Sequence, residues 1–299
     1  MHTATGTLTP TTPFDFAQSL KFLGSFPPMQ NEQGLAPLTL TKALRIKGQT
    51  IAFQLTSSGT IDEPQLAYTL LSEEPITKDI LLATIDRMTF FLGLEDDLRP
   101  FYAVGRKDTV FAPVLEQLYG YHQVKFTTPF ENACWAVISQ RNPMANAIKV
   151  KHLLTETFGS SITVDGTVYR AFPEPAQLVV ADENKLMSVI RHARRTEYVR
   201  SVAAAFDSVD EQFLRTAPYE KVETWLQSIK GIGEWSANFV LLRGLGRMDR
   251  TPVTEKMMFE VVSRLYNAGQ GVSAEDVRRI AEPYGPYQGY WAHYLRVAA

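Results

Sequence analysis

The spacing of apolar residues changes about a third of the way along this chain, and no other feature limits its fold as much. In the first hundred residues, LTLTKALRIKGQTIAFQLTSSG alternates apolar and polar side chains about Lys47-Gly48, the signature of a half-buried hairpin. PQLAYTLLS, residues 64–72, supplies a third strand. PFDFAQSLKFLGSF reads as a short helix with Phe14, Leu20 and Phe22 turned inward, and ITKDILLATIDRMTFFLGL sets Ile80, Leu81, Ile85 and Met88 at helical spacing. GLEDDLRP breaks the pattern at Arg99-Pro100. Beyond it nearly every segment has the helical period: TPFENACWAVISQ, ADENKLMSVIRHARRTEYVRSVAAAF, VETWLQSIK, GEWSANFVLLRGL and EKMMFEVVSRLY. Asn142 suits the N-cap and Pro143 the first position of the helix in RNPMANAIKVKHLL, and Ser273 caps SAEDVRRIAE. One later stretch, SSITVDGTVYRAF, is strand-like. The expected fold is therefore α+β over residues 1–99, a small antiparallel sheet with helices, followed by an all-helical region over 100–299.

A chain of 299 residues that is 45 % hydrophobic and 21 % charged can bury a real core. Its one cysteine, Cys134, excludes intramolecular disulfides and any site needing several thiolates, and it reads as a buried, inert thiol. The Thr-rich start MHTATGTLTPTTPF lacks the apolar centre of a signal peptide, and no apolar run reaches membrane-spanning length. A reducing cytoplasm is the expected setting. Net charge is −2, divided as −4 over the first hundred residues and +2 over the remainder. A polyanionic partner would have to be held by local geometry rather than by a global field.

IKGIGEWSANFVLLRGLGRMDRTPVTEKMM offers such geometry. Gly231 and Gly233 flank Ile232 between two helical runs, so the glycines can turn the chain with positive φ while Ile232 plugs the gap. The second helix then begins with free backbone N–H groups and a positive dipole end, which suit a phosphate. A plain helix-connecting turn has the same G-x-G pattern, and the motif alone does not separate the two.

The surrounding residues do. Downstream come Gly246-Arg247-Met248-Asp249, Pro252 and Glu255, and near the end IAEPYGPYQGYWAHYL. The whole arrangement resembles the helix-hairpin-helix DNA glycosylase superfamily, and within it the bacterial 3-methyladenine DNA glycosylase II type. In that family G-I-G-x-W-S/T-A is followed by R-G, D-x-F-P and a catalytic aspartate. The resemblance extends over almost the whole chain and implies a TATA-binding-protein-like amino-terminal domain before the helical domains. LYGYHQVKFTTPFENACWAVISQ looks like the family's entry into the first helical domain.

By this resemblance Trp235 stands where glycosylases with lyase activity carry a Schiff-base lysine, which implies a monofunctional hydrolase. Trp235 and Phe239, four apart, with Tyr287, Phe22 and Gln140, would form the pocket for an electron-poor alkylated base, although a Trp/Phe pair at this spacing also suits a plain core. Gly231, Ile232, Gly233 and Arg141 would meet DNA, with Arg141 as the wedge that holds the base out, or else a solvated loop arginine. Arg191, Arg194, Arg195 and Arg200 form a solvated basic face from which one or two reach phosphates. The resemblance implies no required cofactor and no side-chain metal site, with a monovalent cation at the hairpin backbone near Gly231 and Gly233 bridging to phosphate. The partner is duplex DNA with damaged bases, met by a monomer in the cytoplasm, at the nucleoid in a bacterium.

Aligned without gaps, Glu255 takes the place of the catalytic aspartate. The added methylene moves the carboxylate by roughly an ångström, a displacement that can cost about a hundredfold in rate. Asp249, at the end of the hairpin helix, reads as structural. Gln288 and Tyr284 replace an arginine and a tryptophan of the family pattern, beside the expected pocket. Two readings follow: a hydrolytic glycosylase using Glu255, or an inactive or weakly active protein that binds damaged DNA because the aspartate is missing.

Overall fold

A computed structural model describes residues 1–253 and 256–299. Its amino-terminal part is a five-stranded antiparallel sheet in the order β1-β5-β4-β3-β2, built from β1 (His2–Leu8), β2 (Gln33–Ala36), β3 (Thr39–Ile46), β4 (Gln49–Ser57) and β5 (Leu66–Ser72). The β3–β4 hairpin closes as expected at Lys47-Gly48. Both residues have positive φ, 49° and 83°, the conformation that matches a two-residue turn to the twist of its strands. β1 and β2 were not expected. β1 is an edge strand whose side chains are mostly small, so it carries no period-2 apolar signal. Gly6 within it lets the strand pass over Tyr68, whose hydroxyl would lie 2.4 Å from an added Cβ.

The helix Lys78–Leu92 is capped by Thr77 and stopped by Gly93 in the left-handed region, and it places Phe91 against Phe53 of the sheet. Ile80 and Met88 are buried as expected, while Leu81 and Ile85 are half-buried. The strand-like stretch after residue 159 forms a second small sheet, β6 (Ser160–Val164) with β7 (Thr167–Ala171), packed on β3 and β4 through Ala43, Ala52, Ile162, Val164 and Ala171. The remaining described elements are helical. The α+β class with a helical continuation holds. Helix Met144–Phe158 starts one residue later than expected, with Pro143 at its cap; the Asn142 amide instead donates to the Ile138 carbonyl, 3.0 Å away.

Helix Pro129–Ile138 is the axis of the helical part, and every residue in it is buried, including Cys134, whose thiol burial pushes well above its ordinary value. Glu131 on this helix is 2.6 Å from the Lys151 ammonium, which is itself 1 % exposed. Lys151 also pairs with Glu32, in the loop before β2, and donates to the Pro28 carbonyl at 2.9 Å. Lys42 of β3 completes the group, 3.3 Å from Glu32. Burial alone would raise the Glu32 carboxyl above 4.5, but the Lys151 and Lys42 ammoniums outweigh it and hold the group below that value. Burial would likewise lower Lys151, yet Glu131 and Glu32 keep it above 10.5.

Replacing Lys151 by Met should therefore leave Glu131 without its cation and Glu32 with Lys42 alone, and cost about 3–5 kcal/mol at neutral pH. Glu32, with a depressed folded-state pKa, adds stability above its ordinary 4.5 that is lost as pH falls through the folded value. In Lys151→Met only Lys42 still opposes the effect of burial on that carboxyl, so protonation costs less there and relieves the variant. Urea unfolding should show a deficit at pH 7 that narrows toward pH 4. A deficit equal at both would mean that Lys151 contributes packing and not charge.

Candidate nucleic-acid interface and aromatic recess

Helix Tyr219–Ser228 leads into the turn, and helix Glu234–Phe239 leaves it, passing into a π turn at Val240–Gly244. Ile232 is 4 % exposed and fills the space between the helices, with its N–H bonded to the Ile229 carbonyl at 2.9 Å. The two glycines have different reasons to be glycine. Gly231 sits at φ +98°, where a Cβ would also lie 2.3 Å from the Tyr198 ring. Gly233 is extended, at φ −94° and ψ −175°, and an added Cβ would meet nothing within 4 Å. Only Gly231 supplies the turn, which corrects the expectation that both do; Gly233 leaves an open approach to the helix N-terminus.

Trp235 and Phe239 share a helix face as their spacing implies, with ring centroids 5.3 Å apart and planes 12° from parallel. Trp235 is 39 % exposed, so this is not a core pair. From Phe239 a series of rings runs inward through Phe126 at 6.1 Å, Phe26 at 5.8 Å and Phe22 at 4.9 Å. Phe22 thus joins the recess by way of two rings that sequence reading did not single out, although Phe22 and Phe26 stand at helical spacing. Tyr287 packs on Phe101 at 6.2 Å and reaches Phe22 only indirectly, through Phe101, Tyr294 and Tyr121; it has no direct ring contact with Trp235, Phe239 or Phe22 among the described residues.

Arg243, in the π turn, was also missed. It is 2 % exposed, and its guanidinium faces Phe22 and Phe26 at 4.7 and 4.8 Å. Burial lowers its pKa to about 10, and no carboxylate among the described residues pairs with it. Its Nη1 lies 3.2 Å from Nδ1 of His293. Burial and the Arg243 charge push His293 well below its ordinary value, so it is neutral and Nδ1 accepts, leaving Nε2–H to donate to the Tyr121 hydroxyl at 3.2 Å. The glycine after Arg243 is required by packing, since a Cβ on Gly244 would lie 2.7 Å from Oδ1 of Asn132.

Next to the hairpin lies a groove of about 910 Å³, lined by Ser139, Gln140, Arg141, Arg194, Arg195 and Tyr198 together with the turn itself. Gln140 lines this groove together with Trp235, and its Nε2 donates to the Gly231 carbonyl at 2.7 Å and to the Ser236 hydroxyl at 3.0 Å. Arg141 is exposed and left-handed, at φ 47°. Of the basic run, Arg194 and Arg195 line the groove, Arg200 pairs with Glu183 at 2.6 Å, and Arg191 ends its helix in the left-handed region.

Asp249 bonds to Arg247 at 3.3 Å, as a structural residue should. Tyr284 is core, 2 % exposed and donating to Asp108 at 2.9 Å, so its departure from the family pattern does not border the recess. The Gln288 carbonyl accepts from the Thr251 hydroxyl at 2.9 Å and so ties the segment before residue 254 to the last helix. Glu255 lies outside the described residues. At the hairpin, the Gly231 carbonyl accepts from Gln140 and that of Gly233 from Ala237 at 2.9 Å. Each thus accepts a hydrogen bond, and a second lone pair remains on each oxygen. No group of three or more His, Cys, Asp or Glu able to hold a metal occurs among the described residues.

A helical hairpin at a basic groove, with an exposed aromatic stack on its second helix, is the arrangement of a DNA-repair fold. Residues 134–286 match the HhH-GPD superfamily of base excision DNA repair proteins, and the chain belongs to that family. It is 27 % identical over 207 residues to the DNA-3-methyladenine glycosylase of Bacillus subtilis, covering 69 % of this chain and 68 % of that one. It is 26 % identical over 163 residues to DNA-3-methyladenine glycosylase 2 of Escherichia coli, 54 % of each. In structure it is similar to a 3-methyladenine DNA-glycosylase from Archaeoglobus fulgidus, with TM-score 0.79, 22 % identity and 97 % of both chains covered. Among the described residues no helix is long and apolar enough to cross a membrane.

The two glycines give a paired test. Gly231→Ala should destabilise the fold by about 1–3 kcal/mol through backbone strain and the clash with Tyr198. Gly233→Ala should keep the wild-type melting temperature yet weaken duplex binding. Equal melting losses in both variants would mean that Gly233 is also only a turn residue.

Proposed function

We propose that this chain is a DNA glycosylase that flips alkylated bases of the 3-methyladenine type out of duplex DNA and releases them by hydrolysis, without lyase chemistry. The observation that carries the reading is the stacked, half-open Trp235–Phe239 pair on the helix that starts at the hairpin. It sets a π surface one helical turn from a phosphate-gripping backbone. The target atom is out of reach inside a duplex, so the nucleotide must be extruded at a cost of a few kcal/mol. An alkylated purine carries positive charge, and an aromatic face attracts it through cation–π stacking.

As the glycosidic bond breaks, the electron pair leaves with the base and positive charge builds on the deoxyribose. A carboxylate near the sugar stabilises that charge and takes a proton from the water that adds to the sugar carbon. Glu255 is our candidate for it. Trp235 presents no amine to the sugar, which supports simple hydrolysis over a covalent imine. The reading as an inactive damaged-DNA binder is not favoured, because the relatives bear glycosylase names. Arg141 serves as the wedge, and the protein works as a monomer in the cytoplasm, at the nucleoid in a bacterium. The division into domains at residues 99 and 100 is part of the same reading. No step depends on a cation at the hairpin.

Glu255→Gln should slow base release from duplex carrying an alkylated purine by about a hundredfold or more while duplex affinity persists. Wild-type activity in that variant would remove Glu255 from the chemistry. Borohydride should trap no protein–DNA adduct; a trapped adduct would show lyase chemistry. Duplex affinity should also fall linearly as log K against log salt, with a slope of about −0.9 per phosphate contacted. Affinity unchanged across salt would argue against the interface.

A further inference from the structure

The loop that carries Arg141 is fastened to the hairpin at two points. From one side, the Gln140 amide spans the Gly231 carbonyl at 2.7 Å and the Ser236 hydroxyl at 3.0 Å. From the other, Nη2 of Arg195 reaches the carbonyls of Gln140 and Arg141, each at 3.1 Å. Arg195 lies in the first turn of helix Ala193–Ser208, and one turn further on the Tyr198 ring packs against Gly231. Loop, helix and hairpin therefore form a closed circuit around the groove. Arg141 keeps a left-handed backbone, φ 47°, which costs a non-glycine residue energy and needs such support.

We propose that Gln140 and Arg195 are positioning residues that couple the seat of the hairpin on phosphate to the insertion of Arg141 into the duplex. The proposal rests on the functional reading above. In this arrangement Nη2 of Arg195 is engaged with the main chain of the loop, and through it Arg195 acts on the Arg141 backbone. Gln140 transmits the position of the hairpin through a bond to the residue that makes the turn. Docking of the backbone then fixes the wedge as well, and the wedge is set before the base has to leave the stack.

A double-mutant cycle separates this coupling from independent roles. Base release would be measured under single-turnover conditions with saturating enzyme, and affinity on undamaged duplex of the same length. Gln140→Ala should slow release by about tenfold or more while undamaged-duplex affinity stays within about twofold, since misplacing a positioned group costs rate before binding. Because Gln140 acts through Arg141, Gln140→Ala combined with Arg141→Ala should be about as slow as Arg141→Ala alone. Multiplying losses would overturn the coupling. Arg195→Met removes the nitrogen that reaches both carbonyls, so release should slow while undamaged-duplex affinity stays within about twofold; weakened affinity with wild-type release would make Arg195 a simple phosphate contact and overturn its part.

Folding is checked on the same samples by melting temperature, and Gln140→Glu, which sets an acceptor against the Gly231 carbonyl, should slow release as Gln140→Ala does. Should the wild type release no base, the functional reading fails on its own. The cycle is then run on affinity for duplex carrying a tetrahydrofuran abasic analogue. There, non-additive losses would uphold the coupling and additive losses would end it.

Discussion

The Lys151 ammonium, buried between Glu131 and Glu32, is the constraint on which the rest of the structure depends. It joins the loop before β2 to helix Pro129–Ile138, and Lys42 extends the group onto the sheet. A buried charge of this kind adds little net stability over an apolar core, but its geometry is exacting because an unmatched member is costly. Helix Pro129–Ile138 is therefore held in one position. Its far end carries Ser139, Gln140 and Arg141, so the charge group and the groove beside the hairpin lie at opposite ends of one short rigid element.

The aromatic recess is organised around a second buried cation of a different kind. Arg243 has no carboxylate among the described residues; two phenyl faces and a neutral imidazole stand in for one. Such a charge is held by ring quadrupoles and by the neutrality of His293. It also determines where the rings sit, because Phe22 and Phe26 must both face the guanidinium. Through Phe126 this placement extends to Phe239 and so to the exposed Trp235. The amino-terminal helix, far from the hairpin in sequence, thus takes part in shaping the recess.

Much of this was legible in the sequence, and unevenly so. The Lys47-Gly48 turn, the stacked Trp235 and Phe239, the buried Cys134 and the plug at Ile232 all followed from local rules: turn chemistry, helical spacing, composition. β1 did not, since an edge strand with small side chains shows no alternation. Tyr287 was placed with the base pocket and packs on Phe101. Tyr284 was expected beside the recess and lies in the core. These misplacements share a cause. Position along a motif says which residues are neighbours in sequence, but not which way a side chain turns once another helix has packed against it.

By itself, the sequence determined the class of fold, the presence of a hairpin with a glycine at its turn, and the residue types available for stacking and for a carboxylate. Those are properties of short windows, where periodicity and backbone freedom act within a few residues. Only the tertiary structure decided that a side chain at Gly231 would meet Tyr198, that nothing packs against Gly233, that Arg195 holds the main chain of the Arg141 loop, and that Arg243 stands behind the aromatic rings. Each of those depends on whether groups dozens or hundreds of residues apart meet within a few ångströms, and contact of that kind leaves no local trace in the chain.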